Sequence, residues 1–117
     1  MAVGRRIKWW QWMPRRTWRL VLVVDEADEV PARLPRHTAA LVGPNENPKW
    51  IAFDCPCRRG HRVMLNLDRR RRPAWSVVSR YPLTISPSID DYAMGRCHFF
   101  LRQGRIQWAP ARTEVDR

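Results

Sequence analysis

All three cysteines and two of the three histidines of the chain fall in two short segments, 55–61 and 97–98. Cysteine thiolate and neutral imidazole are the ligands that zinc prefers, in tetrahedral geometry. Because the number of cysteines is odd and no export signal precedes them, the sequence argues against a disulfide framework. The alternative is that the cysteines are small buried apolar residues and the histidines are surface groups. We predict a zinc site formed by Cys55, Cys57, Cys97 and His98.

The spacing of these residues restricts how they can share one metal. Tetrahedral zinc places two sulfur atoms about 3.8 Å apart, whereas residues i and i+2 of a strand are separated by about 6.5 Å. Cys55 and Cys57 therefore need a turn, and Pro56 and Gly60 are typical turn residues. Adjacent residues of a straight strand face opposite ways. Cys97 and His98 can thus both bind only if Cys97 lies in the loop before the strand.

A metal held by only three protein ligands would leave one position for water, and a general base beside it could activate that water. His61, Asp90 and Asp91 are the nearby candidates for this base. Ser88 offers a hydroxyl on a predicted turn with Ser86, although serine more often serves to form such turns. The candidate catalytic residues are therefore His61, Asp90 and Ser88.

The net charge of the chain is +11, from 22 lysines and arginines against 11 aspartates and glutamates. Such a charge favours an acidic partner, which nucleic acid, an anionic membrane surface or an acidic protein face would each provide. The longest apolar run, Leu20 to Val24, is far shorter than the ~18 residues of a membrane span. We expect a cytoplasmic protein with no membrane span.

The elements that must position these residues are mainly strands. Residues 1–17 mix basic and tryptophan residues without a period and are predicted to be an extension, residues 18–109 a single metal-binding β domain, and residues 110–117 a tail. We expect a mainly β (small α+β) fold, a compact antiparallel sheet and hairpin domain with one short helical turn after Asp25. The predicted strands are 18–24, 38–42, 49–53, 62–67, 75–78, 83–85, 98–102 and 105–108.

Four ordered motifs resemble the domain of unknown function 6527 family over about residues 18–108. They are the segments 55–67, 72–76, 83–89 and 97–108. Members of that family sit in bacterial gene clusters with ubiquitin-like proteins and with activating-like and conjugating-like enzymes. This chain departs from the family at Arg58 and Arg59, where the usual pattern has glycine and cysteine. If the missing cysteine is a ligand in the family, the resemblance implies that His61 or Cys97 replaces it here, or that metal binding is weaker in this chain.

The resemblance implies a metal-dependent peptidase or isopeptidase that acts on a ubiquitin-like protein, by precursor processing or deconjugation, in a bacterial pathway. The implied partners are that protein, its conjugates, and the activating-like and conjugating-like enzymes, with zinc as cofactor. The alternative is a non-catalytic zinc-binding module that binds nucleic acid or serves as an adaptor in the same pathway, since basic and aromatic residues are mixed as in single-strand binders. The net charge fits both hypotheses.

Overall fold

The protein is described by a computed structural model of residues 5–6, 16–91 and 97–109. The predicted mainly β class is confirmed, with one 3₁₀ turn (Ala27–Glu29) after Asp25 and no longer helix among those residues. None of the described helical segments is long and apolar enough to cross a membrane. The strands are β1 Arg5–Arg6, β2 Arg19–Val24, β3 Thr38–Val42, β4 Trp50–Asp54, β5 Arg62–Asn66, β6 Ser76–Arg80, β7 Leu83–Asp91, β8 Cys97–Arg102 and β9 Arg105–Trp108.

The strands form two sheets, in the orders β1-β2-β3-β4-β5 and β6-β7-β8-β9. Every pairing is antiparallel except that of β2 with β3, which is parallel. A parallel pair needs a crossover of about a dozen residues, and the segment 25–37, which contains the 3₁₀ turn, provides it. β1 lies in the predicted extension 1–17, most of which is outside the described residues, as is the tail 110–117.

The hydrophobic core lies between the two sheets and draws side chains from both of them. The phenyl rings of Phe53 on β4 and Phe99 on β8 meet there edge to face, with centroids 6.3 Å apart. Along β8 burial alternates: Cys97, Phe99 and Leu101 are buried, and the residues between them are more exposed. This period of two fixes which β8 side chains enter the core and which face away from it.

β7 is longer than the predicted strand 83–85, because the segment Ser86–Ser88 continues the strand instead of ending it in a turn. Ile85 of β7 is paired with Leu101, but the next β7 residue in register is Ile89, paired with Phe99. Three residues of β7 therefore lie opposite one residue of β8, which makes a bulge. Bulges redirect side chains within a sheet and are frequent beside active sites.

Candidate active site and metal cluster

Four side chains from two segments of the chain, the β4–β5 connection and the start of β8, come together beside the core. Their ligand atoms all lie within 4.8 Å of one another, and the residues are Cys55, Cys57, His61 and Cys97. Cys55 follows β4, His61 precedes β5, and Cys97 is the first residue of β8. The Arg58 backbone N–H donates to the Cys55 carbonyl (3.1 Å), and the Cys55 N–H donates to the His61 carbonyl (2.9 Å). The chain thus turns between Cys55 and Cys57, as sharing a metal requires.

The electrostatics of the cluster are those of thiols brought too close to ionise together. Burial raises the pKa of the Cys55 thiol to about 12 and also raises that of Cys97. Burial opposes ionisation of Cys57 as well, but the Arg59 backbone N–H and neighbouring thiols stabilise its thiolate and lower its pKa to about 7. Three thiolates at this spacing need a positive charge between them.

The imidazole of His61 is oriented from both sides. Its Nε2 lies 3.1 Å from Sγ of Cys57 and 3.8 Å from Sγ of Cys97. Its Nδ1 lies 2.9 Å from Oδ2 of Asp91, and neither of these two buried atoms has another partner among the described residues. A carboxylate behind a ligating histidine is the usual outer partner of a zinc site. The Cys₃His donor set therefore fits tetrahedral zinc, with Nε2 of His61 as the nitrogen ligand.

His98, which we predicted as a metal ligand, lies outside this cluster. It follows Cys97 on a regular strand, so its side chain leaves the opposite face of the sheet. There its Nε2 lies 3.1 Å from Oγ of Ser88, which the β7 bulge brings next to it. Both residues are half-buried. The predicted turn serine and the predicted ligand are thus hydrogen-bonded to each other.

Neighbouring residues hold this pair in place. The indole Nε1–H of Trp75 donates to the backbone carbonyl of Ser88 at 3.1 Å, which ties the bulge to the residue before β6. Asp90 is the cross-strand partner of His98, and directly opposed residues project from the same face of a sheet. The ring of Phe100 lies beside that of His98, with centroids 6.1 Å apart, and the Arg102 guanidinium stacks over Phe100 at 4.2 Å.

The structure sorts the sequence-predicted residues into two groups on opposite faces of the second sheet. Cys55, Cys57 and Cys97 come together as predicted ligands, and His61, predicted as a catalytic base, joins them. Ser88 and Asp90 lie instead beside His98 on the outer face. Asp91, weighed as a base, contacts His61. Trp75 carried no predicted role, because its bond to Ser88 joins residues 13 positions apart.

A serine hydroxyl hydrogen-bonded to an imidazole is the arrangement of nucleophile and general base in serine hydrolases. The chain belongs to the family described as "Bacterial ubiquitination-like system serine protease (BubE)", whose model matches residues 26–109. That range includes every residue of the cluster and of the serine–histidine pair. No curated protein and no solved structure gave a significant match to this chain.

The family corrects one part of the function predicted from sequence and supports others. The expected metal-dependent peptidase mechanism is wrong, because the family is one of serine proteases. Membership of a protease family also gives no support to the alternative of a non-catalytic module. The bacterial ubiquitination-like context and the assignment to peptidases are confirmed at the level of the family. A Cys₃His cluster able to hold a metal ion is present, separate from the serine.

Proposed function

We propose that this protein is a serine peptidase in which Ser88 is the nucleophile and His98 the general base, and that it cleaves the bond following the C-terminal tail of a ubiquitin-like protein, in its precursor or in its conjugates. The 3.1 Å contact between Oγ of Ser88 and Nε2 of His98 carries this proposal. The family supports both the serine chemistry and the pathway.

The first half of the reaction forms an ester on Ser88. Nε2 of His98 takes the hydroxyl proton as Oγ attacks the carbonyl carbon of the scissile bond, and the imidazolium then gives that proton to the departing amine. In the second half the same nitrogen takes a proton from water, whose oxygen attacks the ester. Ser88 leaves with the proton, and the carboxylate of the tail is released.

Asp90 and Trp75 support the pair without touching the reacting atoms. Across the strand pair from His98, the Asp90 carboxylate stabilises the positive charge that the imidazole acquires during the reaction. Trp75 fixes the carbonyl of Ser88 and therefore the direction in which its Cβ leaves the bulge. Ser88 and Asp90 lie on β7 and His98 lies on β8, so the pairing of these two strands brings the three residues together.

We propose a structural role for zinc in the cluster. Cys55, Cys57, His61 and Cys97 would supply all four ligands, so the chemistry that the metal supplies is cross-linking of the loop after β4 to the start of β8. A small domain has limited surface to bury, and such a cross-link adds stability that its core does not provide. His98 follows Cys97 directly, so the cross-link also fixes the strand that carries the base.

The test is cleavage of a fusion between the ubiquitin-like protein of the same bacterial system and a C-terminal reporter. We expect Ser88→Ala and His98→Gln each to abolish cleavage while retaining the wild-type melting temperature. Ser86→Ala is the matched control, because Ser86 is an exposed serine on the same bulge, and it should cleave normally. A fluorophosphonate should label the wild type at Ser88. Full activity of Ser88→Ala would refute the proposed nucleophile.

A further inference from the structure

A groove of about 760 Å³ opens on the surface of the domain, and neither Ser88 nor His98 lines it. Three segments form its walls: the crossover after the 3₁₀ turn, the loop that carries the metal cluster, and β9. Its volume lies within the range of about 300–1,000 Å³ that is usual for binding sites. The serine–histidine pair does not use this groove.

The charge of the groove is strongly one-sided. Five arginines and a single carboxylate, Asp54, line it. That carboxylate is already engaged: Oδ1 accepts from Nε of Arg62 at 2.8 Å, and Oδ2 accepts from the Leu34 backbone N–H at 3.0 Å. Arg33, Arg36 and Arg58 are exposed and form no ion pair with any described carboxylate. Three uncompensated guanidinium groups thus face one concave surface.

The apolar residues of the groove come from the residue before β2, from the crossover and from β9. Trp18 and Leu34 are buried beneath the groove, and Ile106 and Trp108 of β9 form its far side, where 48% of Trp108 is exposed. Binding of single-stranded nucleic acid depends on successive open aromatic faces. The indole of Trp18 is only 5% exposed, which leaves Trp108 as the open tryptophan of this surface. An apolar side chain flanked by carboxylates fits the groove better than a row of bases.

Two rim residues hold backbone conformations that side chains other than glycine rarely adopt. His37 has φ +63° and Arg58 has φ +65°, on opposite walls of the groove. Strained backbone in folded proteins is concentrated at functional sites. Glycine would adopt the backbone conformation of Arg58 without strain, but the chain has an exposed guanidinium at this position. Burial and the charges of Arg19 and Arg16 lower the pKa of His37, so the arginines carry the positive charge.

We propose that this groove, called the arginine groove and defined by Arg33, Arg36, Arg58 and Trp108, binds an acidic segment of a partner protein that carries a leucine-like side chain. The carboxylates of the segment pair with the guanidinium groups, and the apolar side chain lies against Trp108. Bidentate arginine–carboxylate pairs supply orientation as well as affinity. The proposal is independent of whether Ser88 cleaves the partner, because the two surfaces share no residue.

The test is binding of a fluorescein-labelled peptide, Glu-Asp-Leu-Glu-Asp-Leu, followed by anisotropy, with Gln-Asn-Leu-Gln-Asn-Leu as the uncharged control. Arg33→Glu/Arg36→Glu should weaken binding of the acidic peptide by about tenfold or more. The matched control is Arg71→Glu/Arg72→Glu, which changes the net charge equally at exposed arginines outside the groove. Arg58→Gly should weaken binding while retaining or raising the melting temperature, which separates loss of affinity from misfolding.

Three results would overturn the proposal. Equal weakening by both double variants would mean that the overall charge, not the groove, attracts the peptide. Equal binding of the uncharged peptide would remove the role of the arginines. Tighter binding of a single-stranded oligothymidylate, lost in the groove variant and kept in the control, would assign the surface to nucleic acid. Ser88→Ala should bind the acidic peptide as the wild type does.

Discussion

The substitution Trp75→Phe tests whether the indole positions the nucleophile. It keeps an aromatic ring beside the core but removes the N–H that donates to the Ser88 carbonyl at 3.1 Å. Leaving this partly buried carbonyl without its donor should lower the free energy of unfolding of the protein by about 1–2 kcal/mol. For a domain of this size that is a decrease in melting temperature of roughly 4–8 °C. The fold should therefore survive the substitution.

The effect on chemistry should be larger than the effect on stability. A nucleophile displaced by about 1 Å loses up to 10²-fold in rate, so we expect fluorophosphonate labelling of Ser88 to slow by about 10–100-fold. On a cleavable fusion, kcat should fall more than KM rises, because the indole contacts the backbone of Ser88 and packs against the core. Trp108→Phe is the control, since its indole N–H makes no hydrogen bond within the described structure. Wild-type labelling by Trp75→Phe, together with the expected decrease in melting temperature, would refute the positioning role.

Three further substitutions probe the metal cluster and the core. Cys55→Ser should reduce bound zinc from stoichiometric to near zero by elemental analysis, and lower the melting temperature; full retention of zinc would contradict the proposed ligand set. Asp91→Asn should keep the fold but weaken zinc affinity by about 10–100-fold in a competition with a chromophoric chelator, because it weakens the acceptor behind His61; unchanged affinity would exclude that role. Phe99→Ala should lower the free energy of unfolding by about 3–5 kcal/mol in urea, since its ring is fully buried; a loss below 1 kcal/mol would contradict the packing described here.

Local pattern was enough to predict most strands and the residue types of the cluster. β3 and β9 have the predicted bounds, because alternation and flanking turn residues act over a few positions. The parallel pairing of β2 with β3 was not predicted, since strand order depends on contacts between distant residues. The segment Ser86–Ser88 has the composition of a turn, and only its pairing with β8 makes it a bulge within a strand.

The separate positions of the two histidines have a physical reason that was within reach of the sequence. Cys97 and His98 were grouped because both are metal ligands by type, yet strand alternation over 97–102 already indicated opposite faces. If Cys97 is assigned to the cluster, strand alternation places His98 on the other face, and His61 is then the remaining histidine near the cysteines. That Ser88 meets His98 depends on the bulge, for which Pro87 is a local signal, since proline within a strand is confined mainly to edges and bulges.

The position of Cys97 and His98 on successive residues of β8 makes this strand intolerant of insertion and deletion. If the core register from Phe99 onward is kept, one residue inserted between His98 and Phe99 would turn the imidazole inward and displace Cys97 from its place in the strand. The same event would remove the Cys97 sulfur from the cluster and the His98 imidazole from Ser88. Point substitutions can change either site separately, but a change of length in this strand removes both at once. During divergence, length variation in the second sheet is therefore expected outside the segment 97–99.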